Sequence, residues 1–79
     1  MATRNEVLEQ AARGKGCLGK AADDEPVFVL RAQDMLAGGL VDDWADLAEE
    51  NGNCPSEKID EARALAEQMR AWPNRKYPD

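Results

Sequence analysis

Apolar positions recur at intervals of three and four along most of this chain, the spacing that gathers side chains on one face of an α-helix. Val7, Leu8, Ala11 and Ala12 form the first such stripe. Thr3-Arg4-Asn5-Glu6 precedes it as a capping box, with a hydroxyl at the cap and a carboxylate three residues on. Gly14 and Gly16 are expected to end that helix. Leu40, Val41, Trp44, Leu47 and Ala48 mark a second clear helix over residues 40–50, and Asp42, Asp43, Asp46, Glu49 and Glu50 fill the rest of its circumference. Asn51-Gly52-Asn53 is a stop followed by a turn. A last helix begins near Pro55 and Ser56, carries Ile59, Ala62, Leu65, Ala66, Met69 and Trp72 as its stripe, and stops at Pro73. Trp44 and Trp72 are therefore expected inside.

Residues 27–30, Val-Phe-Val-Leu, break the pattern. Their β-branched and aromatic content suits a strand. The continuation to Leu36 restores a helical period, with Phe28, Ala32, Met35 and Leu36 on one face, and the chain offers no second strand for pairing. Asp23-Asp24-Glu25-Pro26 also reads as a helix start, acids and proline both being favoured in a first turn. The reading is a helix that Gly38-Gly39 breaks. The fold expected is all-α: a small bundle of three to four short helices in one domain over residues 1–79, with residues 73–79 as an extended or mobile tail.

Size and charge narrow the partners. A chain of 79 residues buries roughly 60–65% of its extended surface, so a second copy or a partner adds useful burial. Lys and Arg number 10 against 16 Asp and Glu, a net charge of −6, which argues against duplex DNA or an anionic membrane. No apolar run approaches the ~20 residues of a membrane span, and Met1-Ala2-Thr3-Arg4 leads into no apolar signal segment. The expected location is the cytoplasm, where Cys17 and Cys54 stay reduced. Charge is blocked: residues 1–20 and 63–79 are each net basic, and residues 21–62 hold twelve acids against Arg31 and Lys58. Such ends attract the acidic middle within one protomer, set the register of an oligomer, or leave an acidic face for a basic partner.

The chain has no histidine. That removes Ser-His-Asp and Cys-His nucleophile systems and histidine metal sites, and two distant cysteines do not make a zinc site. No catalytic residue, metal ligand or cofactor is assigned. Asp43, Asp46 and Glu50 share a helical face at i, i+3 and i+7, which is either a solvated surface or a carboxylate Mg²⁺ site.

One segment asks for more than packing. Gly14-Lys15-Gly16-Cys17-Leu18-Gly19-Lys20 matches Gly-x-Gly-x-x-Gly, but the dinucleotide fingerprint needs a strand before it, and none is expected. Two readings stay open: an anion nest in which Gly14, Gly16 and Gly19 present backbone amides beside Arg13, Lys15 and Lys20, or a connector kept polar by its lysines. Cys17 is either a reactive thiol or incidental. Arg31 pairs with Asp34 or reaches a phosphate with its planar fork, and Tyr77 is placed to stack on a nucleobase.

Gly16-Cys17-Leu18-Gly19-Lys20, the run from Glu25 through Asp34, the segment Ala66-Glu67-Gln68-Met69-Arg70-Ala71-Trp72 and the Pro78-Asp79 ending together resemble small α-helical phage and prophage proteins, a group without a settled function. The resemblance spans most of the chain. Small helical phage proteins include inhibitors of bacterial immunity, some sequestering nucleotide signals as oligomers and others binding a defence protein directly. The function expected is non-catalytic: a homo-oligomer that sequesters a small nucleotide-derived signalling anion, in the host cytoplasm if phage-encoded, through Arg13, Gly14, Lys15, Gly16, Gly19, Lys20, Arg31 and Tyr77. An acidic protein–protein inhibitor of a bacterial defence protein or complex, of the nucleic-acid-mimic type, is the alternative, and a Mg²⁺-dependent nucleotide hydrolase comes third.

Overall fold

Thr3 opens the first helix as its sequence requires: its Oγ1 accepts a hydrogen bond from the Glu6 N–H at 3.2 Å and donates to Glu6 Oε1 at 3.1 Å. The computed structural model describes residues 3–77; Met1, Ala2 and the Pro78-Asp79 ending lie outside the described residues. Four helical segments follow one another: α1 Arg4–Ala12, the single-turn α2 Gly16–Lys20, α3 Ala37–Asn51 and α4 Ser56–Arg70. Among the described residues there is no strand beyond one isolated bridge, so the fold is a small all-α one. No helix is long and apolar enough to cross a membrane.

The helices pack as two pairs, α1 with α2 and α3 with α4, with no helix contact between the pairs. Gly52, left-handed at φ 79°, closes α3 as the Asn51-Gly52-Asn53 stop implies, and a four-residue connection returns the chain as α4. The seam between them is built from small side chains. Ala37, Ala45 and Ala66 are fully buried, Ile59 and Met69 are the only larger buried residues among those described, and Gly38 is buried beside them. A Cβ at Gly38 would stand 2.8 Å from Arg70 Cγ and 3.1 Å from the Ala66 carbonyl oxygen. Gly38 therefore permits the close approach of α3 to α4, and Gly38-Gly39 lies in the first turn of α3, where a helix break was expected.

The expected helix over residues 26–37 does not form. The start signal is used by a turn instead: the Glu25 N–H donates to the Ala22 carbonyl at 3.1 Å, and Glu25 Oε1 accepts from the Ala22 N–H at 3.1 Å. With that carboxylate committed and Pro26 next, the β-branched pair Val27 and Val29 carries the chain on without helix, turn or bend through Arg31. Asp34 then ends the open stretch, its Oδ1 accepting from the Leu36 N–H at 2.8 Å.

The tail is tied back to the chain by backbone hydrogen bonds. Met35 N–H donates to the Lys76 carbonyl and Lys76 N–H donates to the Gln33 carbonyl, each at 2.8 Å, forming a parallel bridge. Residues as far as Lys76 thus dock on the same chain.

Trp44 and Trp72 are corrections as well, at 50% and 55% exposed. The α3 stripe facing α4 is Ala37, Val41, Ala45 and Ala48, buried or half-buried, whereas Leu36, Leu40, Trp44 and Leu47 line the adjoining, exposed face. Both rows have helical spacing. The alanine row wins the interface because it lets the backbones approach.

Because Ala45 and Ala66 are fully buried at this seam, Ala45→Leu or Ala66→Leu should wedge the helices apart and destabilise the fold by about 1–3 kcal/mol. Leu47→Ala on the exposed face should change stability by less than about 0.5 kcal/mol. Urea denaturation followed by circular dichroism at low protein concentration distinguishes the two.

Candidate functional site

The glycine-lysine segment begins as a helix terminus. Gly14 takes φ 68°, its N–H donates to the Ala11 carbonyl at 3.0 Å, and the Lys15 N–H donates to the Gln10 carbonyl at 2.8 Å. This is a Schellman closure of α1, with glycine at the left-handed position. The Gly14 and Lys15 amides are thereby committed to α1 carbonyls. They are not available to an anion.

Gly16 and Gly19 are explained by packing. Gly16, also left-handed at φ 71°, starts α2, and a Cβ there would meet Gln10 Oε1 at 2.7 Å. A Cβ at Gly19 would meet the Gly14 carbonyl carbon at 2.7 Å and Ala11 Cα at 3.2 Å. Gly19 lets a one-turn helix lie against the end of α1, and the left-handed backbone at Gly16 starts that helix.

The cations remain. Arg13 is tied to Glu9, Nη2 to Oε1, at 2.7 Å. Lys15 and Lys20 are exposed, and neither makes an ion pair with a described residue. Arg31 is likewise exposed and does not pair with Asp34, whose carboxylate serves the Leu36 N–H. Tyr77 is 70% exposed and directly follows the Lys76 bridge. Arg13, Lys15 and Lys20 gather around the α1–α2 junction, while Arg31 and Tyr77 flank the separate Asp34–Lys76 junction.

The acidic face of α3 is largely used within the protomer. Arg70 binds Asp42. Arg63 Nη1 lies 2.9 Å from Asp46 Oδ1, and its Nη2 is 3.7 Å from Glu49 Oε1. The hydrogen bond with Asp46 is the largest influence holding the Arg63 guanidinium above its ordinary pKa. Arg63 and Arg70 of α4 therefore hold the acidic face of α3 inside one chain, one of the arrangements the charge blocks allowed. Of the Asp43, Asp46 and Glu50 set, Asp46 is committed to Arg63, and no metal-holding group of three acids or thiols forms among the described residues. Cys17 and Cys54 are free thiols, the first exposed and the second half-buried.

What the stripe analysis missed is the apolar surface. Phe28 is 84% exposed and Leu47 67%, and Val27, Val29, Leu36 and Leu40 are exposed as well. The signal was present in the proline-led β-branched run at residues 26–30 and in the doubled apolar stripe of α3.

Gly19→Ala decides between ligand loop and packing joint. The close backbone contacts at Gly19 imply that hydrogen-exchange protection will fall in residues 4–20 and stay unchanged in α3 and α4. Protection unaltered in residues 4–20 would contradict the packing role. Compared with known protein families, curated proteins and solved structures, the chain matches none.

Proposed function

We propose that this protein is a non-catalytic binding protein that works as a homo-oligomer and captures a small nucleotide-derived anion. The observation that carries the reading is the inverted placement of its apolar side chains: alanines fill the helix seam while Phe28, Trp44, Leu47 and Trp72 face outward. So many large apolar side chains left exposed favour association with a second surface. Burying one such side chain is worth about 1.5–3 kcal/mol, more than the alanine seam supplies at any one position.

The anion part rests on Lys15 and Lys20, with Arg31, which make no ion pair with a described residue in a protein of net charge −6. A capture protein needs affinity alone, and charge-assisted contacts of roughly 1.5–3 kcal/mol each supply it. The resemblance to small phage proteins suits this mode of action, and the role it suggests is interception of a bacterial immune signal in the host cytoplasm. The acidic-inhibitor reading stands second, because Asp43 and Glu50 make no ion pair with a described residue whereas Asp42, Asp46 and Glu49 already hold arginines. Mg²⁺-dependent hydrolysis stands third, since a metal would have to displace Arg63 from Asp46.

Native mass spectrometry of the purified protein, alone and with ATP, ADP-ribose or cyclic di-AMP as probes, tests the proposal. Assemblies larger than a monomer and a bound nucleotide are the expected result. Lys15→Glu combined with Lys20→Glu should lower nucleotide affinity at least about tenfold with assembly unchanged. Binding equal to that of the parent protein would remove the anion reading.

A further inference from the structure

We propose that residues 25–31 pair with the same residues of a second copy as a two-stranded antiparallel ladder centred on Phe28, an inference that rests on the homo-oligomer reading and names its joining surface. The first ground is backbone chemistry. The N–H groups of Val27, Phe28, Val29, Leu30 and Arg31 and the carbonyls of residues 25–30 make no hydrogen bond among the described residues. An open, unbent segment with a free row of donors and acceptors is a template for another strand. The second ground is its side chains: Val27, Phe28 and Val29 are all exposed, Phe28 most of all.

The third ground selects the partner. In an antiparallel two-fold ladder centred on Phe28, Glu25 falls opposite Arg31 of the second copy, and Arg31 opposite its Glu25. Centring the ladder on residue 27 or 29 instead sets Glu25 opposite Val29 or Gln33. Arg31 makes no ion pair with a described residue of its own protomer. Glu25 spends Oε1 on the Ala22 N–H, which leaves its other oxygen for the arginine.

Proline placement agrees with the same register. If the two Phe28 residues form a non-hydrogen-bonded pair, Val27 and Val29 exchange ladder bonds across the axis, and Pro26 falls in the next non-hydrogen-bonded pair, where its missing N–H is not needed. The Arg31 N–H then donates to the Glu25 carbonyl of the second copy. Glu25 has its own N–H committed to Ala22, so the outermost pair uses one bond instead of two. This pairing takes Arg31 for the interface and leaves Lys15 and Lys20 as the anion-facing charges.

The test uses the whole chain with Cys17→Ser and Cys54→Ser, followed by single new cysteines. Phe28→Cys should form an intermolecular disulfide under mild oxidation, because the central pair brings its two Cα atoms to about 4.5 Å. Trp44→Cys should not. Sedimentation from about 1 µM to about 1 mM should show Glu25→Arg and Arg31→Glu each weakening self-association roughly tenfold, and the double exchange restoring it. A monomer at every concentration would overturn both this ladder and the homo-oligomer reading. Self-association with a Trp44→Cys disulfide and none from Phe28→Cys would overturn the ladder alone, leaving α3 as the joining face. A Phe28→Cys disulfide without rescue in the double exchange would overturn the Glu25–Arg31 register.

Discussion

The close approach of α3 to α4 fixes where everything else must go. Ala37, Gly38, Ala45 and Ala66 form a seam with little side-chain volume, which brings the backbones together and leaves no room there for tryptophan or leucine. Arg70 and Arg63 then reach across to Asp42, Asp46 and Glu49, so the edges of the seam are closed by ion pairs. Exposed pairs of this kind are screened by solvent and add little to stability. The seam is specific more than it is strong. Its cost is that Leu40, Trp44 and Leu47 are turned outward.

Glycine plays the same part at the other end of the chain. Gly14 supplies the left-handed closure of α1, and Gly19 lets α2 rest on the Gly14 and Ala11 backbone. A motif that resembles phosphate-binding loops is here a helix terminus followed by a packing contact. The distinction is physical: amides that satisfy α1 carbonyls have no donor left for a ligand. The side chains of Lys15 and Lys20 are free of that constraint, because neither makes an ion pair with a described residue.

The parts legible in the sequence were those decided within one helical turn. Thr3 with Glu6 fixed a start, Gly52 a stop, and Pro73 an upper limit for α4, which ends at Arg70. The parts that were not legible depended on distant residues. Leu40 and Val41 are adjacent, as are Trp44 and Ala45, and periodicity cannot say which row faces α4, since Ala66 and Arg70 make that choice. Glu25 and Pro26 signalled a helix start, yet a turn can satisfy the same carboxylate. For the cationic residues, sequence gave their neighbourhood along the chain, but the commitment of the Gly14 and Lys15 amides emerged only from the hydrogen bonds of α1.

The tail gives the open segment its position. Lys76 bonds to Gln33 and Met35 through backbone groups, so strand-like pairing occurs just beyond residues 25–31 within the protein itself. Immediately upstream, residues 26–30 make no backbone hydrogen bond among the described residues, and Val27, Phe28 and Val29 face outward. The tail meets the chain at Asp34 through a backbone bridge, which leaves an edge whose own ends, Glu25 and Arg31, carry opposite charges. The register of that bridge thus decides which stretch of backbone remains open to a second chain.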